Sequence, residues 1–167
     1  MSRAGIALGS NLGDRLATLS SARREIAHLR AIEQPVLASA VYETEPVGCE
    51  PGAPPFLNAV IEIGYAGDAH ELLRELRRIE ATLGRPAAHA RNTSRTVDLD
   101  LLYFGDMTLA DNELQLPHPR MHTRRFVLEP LSDISSELIL PLHSKTVAEL
   151  LADLPATPPL VRVASEW

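Results

Sequence analysis

The stretch SRTVDLDLLYFG, Ser94 to Gly105, decides the fold. Val97, Leu99, Leu101, Leu102, Tyr103 and Phe104 give it the β-branched, aliphatic and aromatic character of a strand. Asp98 and Asp100 interrupt that character, and aspartate is depleted in strands. Residues two apart in a strand point to the same face, with Cα atoms ~6.6 Å apart. The two aspartates therefore share one face, and Val97, Leu99 and Leu101 share the other, which is the core face. Two charges at that separation repel by about 2.5 kcal/mol at an effective dielectric of about 20. Water relieves the repulsion, and a divalent cation turns it into attraction.

The elements upstream of this strand set its place. Gly5 to Gly9 reads as a short strand. GSNLGDR then turns into a helix with Leu16, Leu19, Ala22, Ile26 and Leu29 on one side, capped by Ser10, Asn11 or Asp14. A strand follows around Val36 to Tyr42. ETEPVGCEPGAPP, Glu43 to Pro55, is too rich in proline and glycine for regular structure. Leu57 to Tyr65 alternates, with Leu57, Ala59, Ile61 and Ile63 on one face. Ala69 to Leu83 has helical spacing and ends at Gly84. The order is β-α-β-β-α-β, closed by the aspartate strand. This predicts an α+β, ferredoxin-like antiparallel sheet with two helices on one face.

Arg85 to Thr96, between the second helix and the aspartate strand, is polar and without period, and reads as a loop. Downstream, GDMTLADNELQLP reads as a hairpin and HTRRFVLEPLSDI as a short helix stopped by Pro130. Val147 to Leu154 reads as a last helix and Leu160 to Val163 as a last strand. There is no internal repeat and no low-complexity linker, so residues 1–167 read as a single domain.

Composition narrows the function classes. The chain has 167 residues, 45% hydrophobic and 23% charged, ordinary values for a globular protein. The lone Cys49 excludes an internal disulfide and a cysteine-rich zinc site. There is no signal-peptide pattern and no apolar run of membrane-spanning length, so a cytoplasmic protein without membrane partners is expected. A net charge of -6 and 4% aromatics argue against nucleic acid as a partner. Lys145 is the only lysine, and no glycine-rich loop ends in GKS or GKT, which excludes a Walker-type phosphate loop.

The cationic residues are otherwise arginine. Arg85, Arg91, Arg95, Arg120, Arg124 and Arg125 fall in one part of the chain. Compositional bias is one reading, and bidentate phosphate recognition is the other. The aspartates admit two readings as well: a solvated face salt-bridged to Arg95 or Arg91, or a Mg²⁺ site bridging to a polyphosphate. Mg²⁺ takes one or two carboxylates and fills its octahedron with phosphate oxygens and water. Two carboxylates also suit a pair of Mg²⁺ ions roughly 4 Å apart. His118 and His122 have the spacing of a helical zinc pair, but Pro119 between them disfavours a continuous helix. A phosphate-donating role suits His118 better.

Six segments in order resemble one family: ALGSNLGDR, SAVYETEPVG, PPFLNAV, LLRELRRIEATLGR, RNTSRTVDLDLLYFGD and LPHPRMHTRRFVLEPLSDI. Together they are similar to the 6-hydroxymethyl-7,8-dihydropterin pyrophosphokinases of folate biosynthesis. The resemblance implies transfer of the terminal pyrophosphoryl unit of ATP to the pterin hydroxymethyl group, with attack at the β-phosphorus and loss of AMP. It implies that Asp98 and Asp100 hold two Mg²⁺ ions and that Arg95 neutralises charge on the transferring group. Arg85 would reach the phosphates as its loop closes, and Glu80 would contact the nucleotide. His118 and Arg124 would bind phosphate oxygens, and the Leu101 backbone would meet the adenine.

For the pterin, the resemblance implies stacking on Phe56 and Phe126, edge recognition by Asn58, and completion of that edge by Thr44 and the backbone around Glu45 and Val47. ATP and the pterin are the implied partners, and a monomer is expected, with no room for a fused neighbouring enzyme. Departures from the family pattern fall at Thr93 and Ser94, where Gly-Pro is common, at Pro86 to Ala88, and at Glu45, Phe56, Glu113 and Gln115. A metal-dependent phosphohydrolase using the same aspartates and a non-catalytic ligand-binding module are the alternatives.

Overall fold

A computed structural model describes residues 1–45, 51–84 and 96–167. The strands are β1 (Ser2–Ser10), β2 (Ile32–Ala38), β3 (Val41–Thr44), β4 (Phe56–Tyr65), β5 (Asp98–Phe104), β6 (Leu109–Ala110), β7 (Gln115–Leu116) and β8 (Val161–Ala164). The helices are α1 (Arg15–Ala27), α2 (Ala69–Leu83), α3 (Arg125–Ser135) and α4 (Val147–Ala152). The main sheet runs β5-β1-β4-β3-β8, with β2 also paired to β4, and every pairing is antiparallel. Counting β2 and β3 as one interrupted strand gives the ferredoxin-like order expected from the sequence, extended at one edge by β8.

The strand expected around Val36 to Tyr42 is in fact two strands. Long β4 pairs with β2 at its Tyr65 end and with β3 at its Phe56 end. The break falls at Ser39 and Ala40, where side chains take up N–H groups of the backbone. Ser39 Oγ accepts from the Val60 N–H at 2.9 Å, and the Ala40 N–H donates to Asp133 at 3.2 Å.

Two cores lie on the two sides of the sheet. Ala4, Ile6 and Leu8 of β1, alternate residues of β4, and Leu99 and Leu101 of β5 pack under α1 and α2. Val60, Leu102 and Tyr103 pack under α3 and α4. Asp14 caps α1 by accepting from the Ala17 N–H at 3.1 Å. Asp68 and Glu71 form a capping box on α2, and Gly84 ends it.

The β1–β5 register shifts between Gly5 and Ile6, which face Tyr103 and Leu101, leaving Leu102 as an extra residue. This bulge turns two consecutive side chains, Leu102 and Tyr103, into the same core and returns Phe104 to the other.

Pro130 does not stop its helix, contrary to the sequence expectation. α3 runs through it to Ser135. The missing N–H leaves the Phe126 carbonyl without its helical partner, an interruption worth about 3 kcal/mol in an isolated helix. Burial of Val127, Leu128, Pro130 and Leu131 against the sheet outweighs it.

Candidate functional site

The sheet face that carries α3 is left open toward the Ser10 end of β1, and a cavity of about 510 Å³ occupies that space. Its floor comes from neighbouring strands: Asp98 and Asp100 from β5, Ala7 and Gly9 from β1, Phe56 and Asn58 from β4, and Thr44 from β3. The start of α3, Arg124 to Val127, forms one wall. Alternation on β5 produces this geometry: Val97, Leu99 and Leu101 are buried, and both aspartates are exposed to the cavity.

The aspartate strand is anchored at several points. Glu80 Oε1, from the last turns of α2, accepts the Leu99 N–H at 2.7 Å. Ser10 Oγ donates to the Thr96 carbonyl at 2.5 Å, and Thr96 Oγ1 donates to the Leu83 carbonyl at 2.8 Å. Backbone groups of residues two apart point to the same edge of a strand. The Leu101 N–H and C=O therefore face the edge that Leu99 faces, away from β1, while the Leu101 side chain is buried.

Arg124 stands beside Asp100. Burial and the neighbouring Arg120 lower its pKa from the usual value, and Asp100 opposes them. Its guanidinium lies 5.5 Å from the centre of the Phe126 ring. His118 is half-buried next to the same charges. Burial lowers its pKa first, Asp100 opposes this, and Arg124 and Arg120 add to the lowering. His118 Nδ1 accepts the Arg120 N–H at 3.2 Å, which leaves Nε2 to carry the proton of the neutral ring. Its own N–H donates to the Leu102 carbonyl at 2.7 Å, tying it to β5.

The aromatic end of the cavity has Phe56 half-buried and Phe126 38% exposed, with ring surface available to a ligand. Asn58 is buried, 8% exposed, and donates from Nδ2 to Thr44 Oγ1 at 2.9 Å. Gly9 lies against it: a Cβ there would sit 3.3 Å from Asn58 Oδ1. Glu45 is exposed at the rim.

The structure thus brings Asp98, Asp100, Arg124, Phe126, Phe56, Asn58, Thr44 and Glu45 to one cavity. His118 stands next to it, and Glu80 and Leu101 stand on the β5 side. Arg85, Arg95 and Val47 lie outside the described residues. The His122 ring lies tilted at 53° against that of His143 with ring centres 5.1 Å apart, and no cluster of three or more metal-binding side chains occurs among the described residues.

Sequence reasoning missed two contributors. Arg15, at the start of α1, donates to the Pro55 carbonyl at 2.6 Å and pairs with Glu43 at 3.1 Å, gripping the residues just before Thr44 and Phe56. Its signal was an arginine directly after the GSNLGD turn. The second is Leu154 to Leu160, which closes the cavity opposite the aspartates. Its three prolines read as connection, and only the pairing of β8 reveals their place.

Comparison with known proteins points to one family. The model of the family 7,8-dihydro-6-hydroxymethylpterin-pyrophosphokinase matches residues 5–136. A 2-amino-4-hydroxy-6-hydroxymethyldihydropteridine pyrophosphokinase of Bacillus subtilis is 42% identical over 133 residues, 80% of this chain and 78% of the relative. The enzyme of that name in Haemophilus influenzae is 38% identical over 146 residues, covering 87% and 89%. Among solved structures, wild-type Plasmodium falciparum HPPK-DHPS with SDX-DHP superimposes with a TM-score of 0.68 at 15% identity. That match covers 91% of this chain and 43% of the other, and at such identity it speaks to the fold.

Proposed function

The chain belongs to the 7,8-dihydro-6-hydroxymethylpterin-pyrophosphokinase family, ATP-dependent diphosphotransferases of folate biosynthesis, and we propose how its residues carry the reaction. Pyrophosphate passes from ATP to 6-hydroxymethyl-7,8-dihydropterin, giving AMP and the pterin diphosphate. The observation that carries this reading is one cavity holding a carboxylate pair at one end and two open aromatic faces with a buried amide at the other.

The donor set fits Mg²⁺. Asp98 and Asp100 offer hard carboxylate oxygens, exposed on one strand face, in the number this ion takes from protein. They would hold two Mg²⁺ ions, which supply neutralisation of the ATP phosphates and orientation of the pterin hydroxyl. The remaining work is positioning and charge stabilisation. Arg124 and the Nε2–H of neutral His118 meet phosphate oxygens. Arg85 and Arg95 act on the transferring group as the family likeness implies. Glu80 holds the Leu99 peptide and contacts the nucleotide, and the outward backbone of Leu101 meets the adenine edge.

Phe56 and Phe126 stack on the pterin ring. Asn58, already oriented by Thr44, reads its edge with the free lone pairs of its Oδ1, and Glu45 and Val47 complete that edge through backbone. Every group named comes from one chain, and we read the active unit as a monomer in the cytoplasm. No helix of the described residues is long and apolar enough to cross a membrane.

The test is ATP consumption with and without the pterin, with nucleotide products resolved. Pterin-dependent AMP is expected. ADP as the product contradicts pyrophosphoryl transfer. Phosphate release without pterin identifies a phosphohydrolase, and binding without turnover identifies a binding module.

A further inference from the structure

The wall opposite the aspartates lies outside the residues that the family model matches, which end at 136. It is the segment Leu154 to Leu160, with Leu154 and Leu160 half-buried and Pro155, Thr157, Pro158 and Pro159 exposed along the cavity. Strand order fixes where it stands. From β5 through β1, β4 and β3 to β8 there are four strand spacings, about 19 Å. Asn58 on β4 lies midway, so the segment closes the end of the cavity beyond the ring-recognition residues.

Side-chain contacts hold the segment there. Arg125 Nη1 donates to the Pro155 carbonyl at 3.3 Å. Past the segment, Arg162 Nη2 donates to Tyr42 Oη at 3.2 Å and lies 5.7 Å from that ring's centre. Tyr42 Oη donates in turn to Asp133 of α3 at 2.8 Å. Trp167 Nε1 donates to the Ser39 carbonyl at 2.7 Å. β8 is thereby tied both to β3 and to the helix that carries Phe126.

We propose that Leu154–Leu160 is the size-limiting wall of the pterin end of the cavity. Leu160 is its specificity-determining residue, and Arg162 is a positioning residue that acts through Tyr42 and Asp133. The inference rests on the pyrophosphokinase reading. The wall admits a flat heteroaromatic ring, excludes a bulky apolar substituent on the ring edge that faces it, and keeps water from the hydrogen bonds that Asn58 and Thr44 make. Such bonds strengthen as the local dielectric falls.

The experiment compares initial-rate kinetics of the full chain with Leu160→Ala, Leu160→Trp, Arg162→Ala and Arg162→Lys. The substrates are 6-hydroxymethyl-7,8-dihydropterin and an analogue bearing a bulky apolar ring substituent, and melting temperatures are recorded. Leu160→Ala is expected to raise KM for the natural pterin about tenfold. Its KM for ATP stays within about twofold, which separates an effect on the pterin end from one on the nucleotide end. The ratio of kcat/KM for the bulky analogue over the natural pterin rises in the same variant. Leu160→Trp removes no packing, and so carries the test if the alanine variant loses stability. It is expected to reject both pterins while keeping ATP. Arg162→Ala shifts the pterin KM in the same direction, and Arg162→Lys restores part of it. A wild type that makes AMP, together with Leu160 variants whose pterin KM and selectivity ratio stay within about twofold, overturns the wall. A wild type that makes no AMP overturns the pyrophosphokinase reading, and the wall with it.

Discussion

Glu80 Oε1 accepts the backbone N–H of Leu99 at 2.7 Å, so the end of α2 holds the backbone of the one residue that stands between Asp98 and Asp100. A carboxylate-to-amide bond is charge-assisted and net worth about 1.5–3 kcal/mol. It fixes the local pleat, and with it the direction of both aspartates. Glu80→Ala is expected to lower thermal stability by that order and to weaken MgATP binding more than pterin binding. Glu80→Gln, which keeps an acceptor oxygen, is expected to lie between. Calorimetry of each ligand on the two variants checks the ranking, and equal loss for ATP and pterin would contradict it.

Asn58 and Thr44 make the corresponding prediction at the other end. Asn58→Ala removes a buried amide and leaves the Thr44 hydroxyl without its donor. A lost buried hydrogen-bonding group costs about 1–3 kcal/mol, which is expected to raise the pterin KM by roughly 10- to 100-fold with the ATP KM little changed. Gly9→Ala is a milder version, because its Cβ would press on Asn58 Oδ1 from 3.3 Å. Steady-state kinetics with each substrate varied in turn reads both effects.

Gly5 tests the packing behind the site. A Cβ there would lie 2.2 Å from Tyr103 Cε1. Tyr103 is 2% exposed, and its hydroxyl donates to Glu62. That carboxylate also accepts from Arg3 Nη2 at 2.9 Å and Ser135 Oγ at 3.2 Å. The ring has no simple retreat. Gly5→Ala is expected to cost about 1–3 kcal/mol, a melting decrease of roughly 3–10 °C, with KM values unchanged in the surviving folded enzyme.

His118 gives a signed pH prediction. Burial and two arginines hold its pKa below 6.5, while Asp100 opposes them. The unfolded chain therefore takes up this proton at higher pH than the folded one. Stability from this residue is complete above the unfolded value of about 6.5. It declines as pH falls through that value toward the folded pKa, and levels off below it. In metal-free protein, the His118 ring resonances are expected to titrate below 6.5. The midpoint should rise in Arg124→Ala and fall further in Asp100→Asn, and shifts of the opposite sign would contradict the assignment.

Much of this arrangement is legible in the chain because it follows from local periodicity. Alternation around Asp98 and Asp100 gives their common face, and the same rule puts Phe56 and Asn58 on one side of β4. The helical spacing of Leu72, Leu76 and Ile79 gives the face of α2. What escaped was decided by distant partners. The bulge at Leu102 depends on its register with β1. The split between Ala38 and Val41 depends on the reach of β4 and on Asp133. α3 continues through Pro130 because the sheet beneath it rewards burial. The wall at Leu154 to Leu160 stands where it does because β8 pairs with β3, setting Arg162 against Tyr42, 120 positions away in sequence.

The most direct test is AMP formation by Asp98→Ala and Asp100→Ala in saturating MgATP and 6-hydroxymethyl-7,8-dihydropterin, with circular dichroism confirming the fold. Both side chains are exposed, so the fold should survive their removal. Loss of charge stabilisation at the reacting phosphates is expected to reduce turnover by about 10³-fold or more. AMP formation within a few-fold of wild type in either folded variant would contradict the claim that this carboxylate pair organises the pyrophosphoryl transfer.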